Sequence, residues 1–174
     1  MGKLYAPGGV RFPANVEYGD VVKGLPLEIG SCTGIYASHV LEHLSLEDFR
    51  IAIRHTYRLL QRSGRFRLVV PDLEILARRY LDTQQAEAAE IFVRETSLGK
   101  IERPRGLRGF VRAWLGNSQH LWMWDFKALK AELTSAGFVN IRRCEFGDSD
   151  DPKFLEVEVA ERFVDALAVE GMKL

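Results

Sequence analysis

Residues 32–72, CTGIYASHVLEHLSLEDFRIAIRHTYRLLQRSGRFRLVVPD, hold a strand, a helix and a second strand in one unbroken passage. Cys32–Ser38 is a short apolar run of strand length, and it leads straight into HVLEHLS. Ser45 then offers a helix cap, with Asp48 three residues on to complete a capping box. Leu46, Phe49, Ile53, Tyr57 and Leu60 recur at helical spacing, so one face of this helix is apolar. Ser63-Gly64 is read as the stop. Phe66–Val70 (FRLVV) predicts a buried strand, halted by Pro71 because proline cannot donate the next ladder hydrogen bond. The passage is a β-α-β unit.

Working outward, Asp72 is placed to cap a helix whose stripe is Leu73, Leu76, Ala77, Tyr80 and Leu81, and the more polar Gln84–Glu95 is also helix-prone. Lys100–Asn117 breaks the rhythm with Pro104, Gly106, Gly109 and Gly116 and carries Arg103, Arg105, Arg108 and Arg112, which predicts a mobile loop or lid over the domain. Asp125 caps a helix with Phe126, Leu129, Leu133 and Ala136 on one face and Gly137 at its end. Phe138–Phe146 and Phe163–Glu170 read as strands, joined through a polar turn, Gly147–Lys153. Strands separated by helices predict a three-layer α/β fold of Rossmann-like kind, its sheet mostly parallel, with room for an antiparallel pair at the end.

The 174 residues fit one domain, 1–174, with 100–117 as an insertion. Hydrophobic residues make up 47% and charged residues 28%, and 24 basic side chains balance 24 acidic ones, so no global field draws the chain to nucleic acid or to an anionic membrane. Cys32 and Cys144 share no metal-ligand spacing, and no apolar run reaches transmembrane length, which predicts a reduced, cytoplasmic protein.

Several passages then match a known pattern in order. VEYGDVVKGLPLE resembles a third strand ending in an acidic residue, followed by Leu-Pro and a hydrophobic residue. IYASHVLEHLS resembles a fourth strand and its turn. HTYRLLQRSGRFRLVVPD resembles the passage into a fifth strand, with Arg62-Ser63-Gly64 in place of Pro-Gly-Gly, and HLWMWDFKALKAELTSAGFVNIRRCEFG resembles a final helix, turn and sixth strand. Together these cover roughly two-thirds of the chain, and they resemble class I S-adenosylmethionine-dependent methyltransferases, in particular the type 11 sort found with bacterial polysaccharide genes. Only Met1–Asn15 precedes the third-strand match, so the fold is expected to be shortened at its N-terminus, with Lys3–Ala6 as a remnant strand and Pro7-Gly8-Gly9 as a degenerate glycine turn.

The resemblance implies a cofactor, S-adenosylmethionine, and roles for particular residues. Gly8 and Gly9 would lie against it, Asp20 would accept a hydrogen bond from the adenine amino group, Val21 and Leu25 would line the adenine pocket, and Ser38 and His39 would end the fourth strand beside the sulfonium. His39 or His120 would take a proton from an oxygen or nitrogen acceptor on a small molecule or saccharide. Each residue also has a plain structural role: Asp20 a turn, Asp72 a cap, Trp122 and Trp124 a seal on the core. The missing front half favours a second function, a methyltransferase-like binding or scaffolding module without catalysis, and an uncovered sheet edge favours a homodimer. His39-Val40-Leu41-Glu42-His43 fits the HxxEH pattern of inverted zinc proteases, but that motif needs a helix and Cys32–Ser38 reads as strand up to His39, so no metal is expected.

Overall fold

The structure is a computed structural model that describes Pro13, residues 15–100 and residues 119–174. Lys3–Ala6, Gly8, Gly9 and, Lys100 apart, the expected lid at Lys100–Asn117 lie outside the described residues. Four strands form one mixed sheet in the order β1-β2-β4-β3, where β1 is Cys32–Ser38, β2 Leu60–Pro71, β3 Phe138–Cys144 and β4 Ala166–Lys173. The helices are α1 Leu46–Leu59, α2 Leu73–Asp82, α3 Ala88–Glu95 and α4 Phe126–Ser135.

The α/β class is as expected, and so is a mostly parallel sheet with an antiparallel pair at its end. β1 and β2 pair in parallel, from Gly34 opposite Arg65 to Ser38 opposite Val69, and β4 lies antiparallel between β2 and β3, so β1, β2 and β3 run one way and β4 runs against them. The cause lies in the connection: Glu145–Asp165 contains no crossover helix, only short 3-10 turns at Pro152–Glu156 and Ala160–Phe163, and without such a crossover the chain returns antiparallel. The same segment alters the layering. α1 and α4 cover one face of the sheet, whereas Phe154 from the 3-10 turns packs edge-on to Tyr36 of β1 on the other.

Alternation along β2 explains the division. Phe66, Leu68 and Val70 point into the core with Leu167 and Val169 of β4, and they meet Phe49 and Ile53 of α1 and Leu129 and Leu133 of α4. Arg67 points the other way, wholly buried, toward Glu158, Glu170 and Asp148. Trp124 closes the end of the core against Phe49, ring centroids 4.2 Å apart, while Trp122 stays 40% exposed, so one of the two expected seals is real.

The caps fall where the sequence puts them. The Ser45 hydroxyl accepts from the Asp48 amide, and the Asp125 carboxylate from the Ala128 amide. Gly137, at φ +103, ends α4 in the left-handed region, where a Cβ would sit 3.0 Å from the Tyr57 ring.

Three strand boundaries differ. Leu60–Gly64 belongs to β2 rather than to the helix end, as a bulge in which Ser63 is left-handed and Gly64 leaves no room for a Cβ, 2.9 Å from the Gln61 carbonyl. β3 stops at Cys144, because the next amide, of Glu145, turns to the Asp148 carboxylate. β4 begins three residues late, since Ala160–Phe163 coils and Asp165 is left-handed. Val16–Tyr18, the head of the passage that resembles a third strand, forms no ladder; the Asp20 carboxylate captures the Val22 and Lys23 amides and turns the chain there.

Candidate functional site

β1 delivers its last residues to the carboxyl edge of the parallel pair, the side on which open α/β sheets take ligands. The ladder extends one step further, His39 donating its amide to the Val69 carbonyl, and the chain then swings out with His39 at φ +54. Its Nδ1 lies 3.1 Å from the Ser38 hydroxyl. A 3-10 turn, Leu41–His43, follows and carries two more polar side chains before Ser45 starts α1.

This turn is tied to a segment far along the chain. The Glu42 carbonyl accepts from the amides of Leu121, at 2.8 Å, and Trp122, at 3.2 Å. The anchorage brings His120 to His43, with ring centroids 5.0 Å apart and the rings edge to face. His43 Nδ1 donates to the Gln119 carbonyl at 3.0 Å, and His120 Nδ1 to the Thr96 carbonyl at 2.9 Å. A carbonyl oxygen can only accept, so in each neutral ring the proton sits on Nδ1 and Nε2 presents a lone pair. One atom from each of Glu42, His43 and His120 lies within 4.8 Å of the other two.

Burial sets the charges here. It drives Glu42 upward, toward the neutral acid, against the pull of its own backbone amide and of His43 and Arg162. Neither Glu42 oxygen has a hydrogen-bond partner among the described residues. Burial also holds His39 below the usual histidine range, helped by the positive charge of Arg162 and by the nearness of the His120 and His43 rings, and it lowers His120 despite the opposing bond to Thr96.

Ser38, His39 and His120 are thus brought to one edge. Asp20, Val21 and Leu25 are not. The turn at Asp20–Gly24 packs beside His55, whose Nδ1 reaches the Val21 carbonyl at 3.4 Å. α1 runs down the sheet from its Ser45 cap, and His55 stands ten positions along it, roughly 15 Å from that edge. Asp72 acts as a helix cap, accepting from the Glu74 amide at 2.8 Å and pairing with Arg143 at 3.1 Å. Glu42 and His43 were legible as a motif but not as neighbours of His120.

No protein-family model matches the chain, and no curated protein matches it. Solved structures resemble it. A SAM dependent methyltransferase from Archaeoglobus fulgidus is 17% identical, with a TM-score of 0.49 over 91% of this chain and 67% of that one. A chain of the Haloferax volcanii complex containing the Trm112 methyltransferase activator is 15% identical, with a TM-score of 0.48 over 88% and 58%. PigF with SAH is 19% identical, with a TM-score of 0.46 over 90% and 34%. This chain therefore spans between 34% and 67% of the length of these three.

Proposed function

We propose that this chain is a methyltransferase of the type 11 sort, moving a methyl group from S-adenosylmethionine to an oxygen or nitrogen of a small-molecule or saccharide acceptor. The observation that carries the reading is the position and charge state of His39. It follows the strand that resembles the family's fourth, at the ligand edge of the parallel pair, and burial favours its neutral, proton-accepting form. The bound cofactor would supply an electrophilic methyl group. The chain's own part is to hold the acceptor near attack distance and to receive its proton on His39 or His120.

Of the residues that would hold the cofactor, Ser38 and His39 stand at the ligand edge, whereas the Asp20 turn packs beside His55, roughly 15 Å from that edge, and does not fit as it stands. The hydrogen bonds that Asp20 accepts go to Oδ1, and among the described residues Oδ2 faces the Lys23 ammonium at 3.4 Å. Its pKa is lowered by the Lys23 and Val22 amides, so the carboxylate stays ionised. Both cysteines are free thiols, and no helix among the described residues is long and apolar enough to cross a membrane, which supports a cytoplasmic setting.

Calorimetric titration of the full chain with S-adenosylmethionine and S-adenosylhomocysteine tests the reading. Saturable one-to-one binding is expected. Absence of heat with both ligands overturns the enzyme and supports the alternative, a binding or scaffolding domain of the same fold.

A further inference from the structure

We propose that Glu42, His43 and His120 form a binding site for a first-row divalent cation, zinc above all, with one carboxylate oxygen and two imidazole nitrogens as ligands and a fourth position for water. The site stands without the methyl-transfer reading and goes beyond it.

Four observations meet here. Both imidazoles donate Nδ1–H to a backbone carbonyl, Gln119 for His43 and Thr96 for His120, which fixes the tautomer and ring plane and leaves Nε2 as a bare lone pair. That outer contact is the usual companion of a metal-bound histidine. The Glu42 side chain is 1% exposed, and among the described residues neither oxygen has a hydrogen-bond partner. A buried acid with nothing to bond is costly, and a cation at its oxygens removes the cost. Among the described residues the charge-capable group that reaches it is His43 Nε2, 3.9 Å from Glu42 Oε1, one of the two lone pairs that would share the ion. Finally, the bonds from the Leu121 and Trp122 amides to the Glu42 carbonyl clamp the His120 segment onto the Leu41–His43 turn, so ligands from two remote stretches are held on rigid backbone.

Distance and ligand chemistry choose the ion. Zinc bonds of about 2.0–2.1 Å place tetrahedral ligands about 3.3 Å apart. The observed spacing, within 4.8 Å, needs the side chains to close by about an ångström or so, within reach of small rotations. Two imidazoles and one carboxylate suit zinc and disfavour the all-oxygen cations magnesium and calcium. The set is not the helix-borne HxxEH arrangement: His39 lies outside it and His120 replaces it. A bound ion would occupy the His120 lone pair and leave His39 as the free base of the edge.

The test is metal binding by the full chain. Protein stripped with a chelator and dialysed against zinc chloride should retain one equivalent, and competition with a chromophoric chelator should give affinities about 100-fold or more weaker for Glu42→Gln and for His120→Ala. His55→Ala removes an imidazole outside the cluster and should bind as the wild type does. Glu42→Gln also removes an unpaired buried acid, so its metal-free form should melt no lower than the wild type, which separates lost binding from lost folding. Cobalt(II) in the wild-type site should show the intense visible bands of four-coordinate cobalt. Substoichiometric zinc in the wild type, equal affinity in His120→Ala, or only the weak bands of six-coordinate aqueous cobalt each overturns the site.

Discussion

Arg67→Met is the substitution that most directly probes what holds the second face of the sheet. Arg67 is wholly buried on β2, where Nε pairs with Glu158, one Nη donates to the Glu145 carbonyl at 2.6 Å, and the other faces Asp148 at 2.9 Å and Glu170 at 3.6 Å. The Asp148 contact is off the hydrogen-bond direction and acts as an ion pair. Burial lowers the affinity of this guanidinium for its proton, and the carboxylates around it, Glu158 first, more than restore it. Removing the charge leaves the partners unequal. Glu170 keeps Arg65 at 2.9 Å, Arg142 at 3.2 Å and Ser149 at 2.6 Å, and Asp148 keeps Arg142 at 2.9 Å and the Glu145 amide. Glu158, also 0% exposed on its side chain, keeps among the described residues only the Gly147 amide at 2.9 Å.

The loss therefore falls on one buried, uncompensated carboxylate, which costs about 3–5 kcal/mol. The Glu145 carbonyl adds about 1 kcal/mol. Methionine retains most of the stem packing. Urea unfolding followed by tryptophan fluorescence should show this loss, and the melting temperature should fall by about 8–24 °C at roughly 2–4 °C per kcal/mol for a chain of this size. Arg67→Met/Glu158→Gln, which keeps an acceptor for Gly147, should recover much of the stability. A loss under about 1 kcal/mol, or a double variant no better than the single one, refutes the reasoning.

Three further outcomes follow from particular contacts. Asp72→Ala removes a buried cap and the Arg143 pair together and should cost about 1–2 kcal/mol in urea unfolding, the upper part of the range for lost caps. Burial pushes the Cys144 thiol up to about 12, against the pull of Arg67 and Arg142, so at pH 8 its thiolate fraction is about one in ten thousand and iodoacetamide should label it far more slowly than a free peptide thiol. Among the described residues β1 has no neighbour on its outer side, and we expect a second copy to pair there; sedimentation equilibrium should report a dimer at high micromolar concentration, and a monomer removes that expectation.

The elements that the sequence makes legible are those whose signals are local. Ser45 with Asp48, Asp72, Asp125 and Gly137 are bounded by hydrogen bonds spanning at most three residues, and the helices begin or end as those residues dictate. The apolar core of β2 is equally plain, since alternation needs only neighbours. Strand direction is legible in part. The polar turn after β3 leaves room for an antiparallel pair, and β4 does run against β3 because Glu145–Asp165 coils in 3-10 turns instead of forming a crossover helix, but nothing local to Ala166–Lys173 marks its place between β3 and β2. Arg67 in the middle of FRLVV was a readable sign that the second face is ionic. Its partners, Glu158 and Glu170, are chosen by the fold and not by spacing.

The candidate site divides along the same line. His39 at the end of β1 follows from the strand and its turn, and Glu42-His43 follows from the motif. The role of the motif did not follow, because HxxEH is defined by helical geometry and here the residues stand on a single 3-10 turn that separates His39 from the other two. The deciding partner is His120, placed by two backbone hydrogen bonds to the Glu42 carbonyl from residues that carry no side-chain signature. Such bonds are invisible in sequence because every non-proline residue can donate one. The same holds for the Gln119 and Thr96 carbonyls, which decide where each imidazole proton sits. Which chemistry the edge performs therefore rests on main-chain contacts, and the zinc and cofactor titrations read their consequences separately.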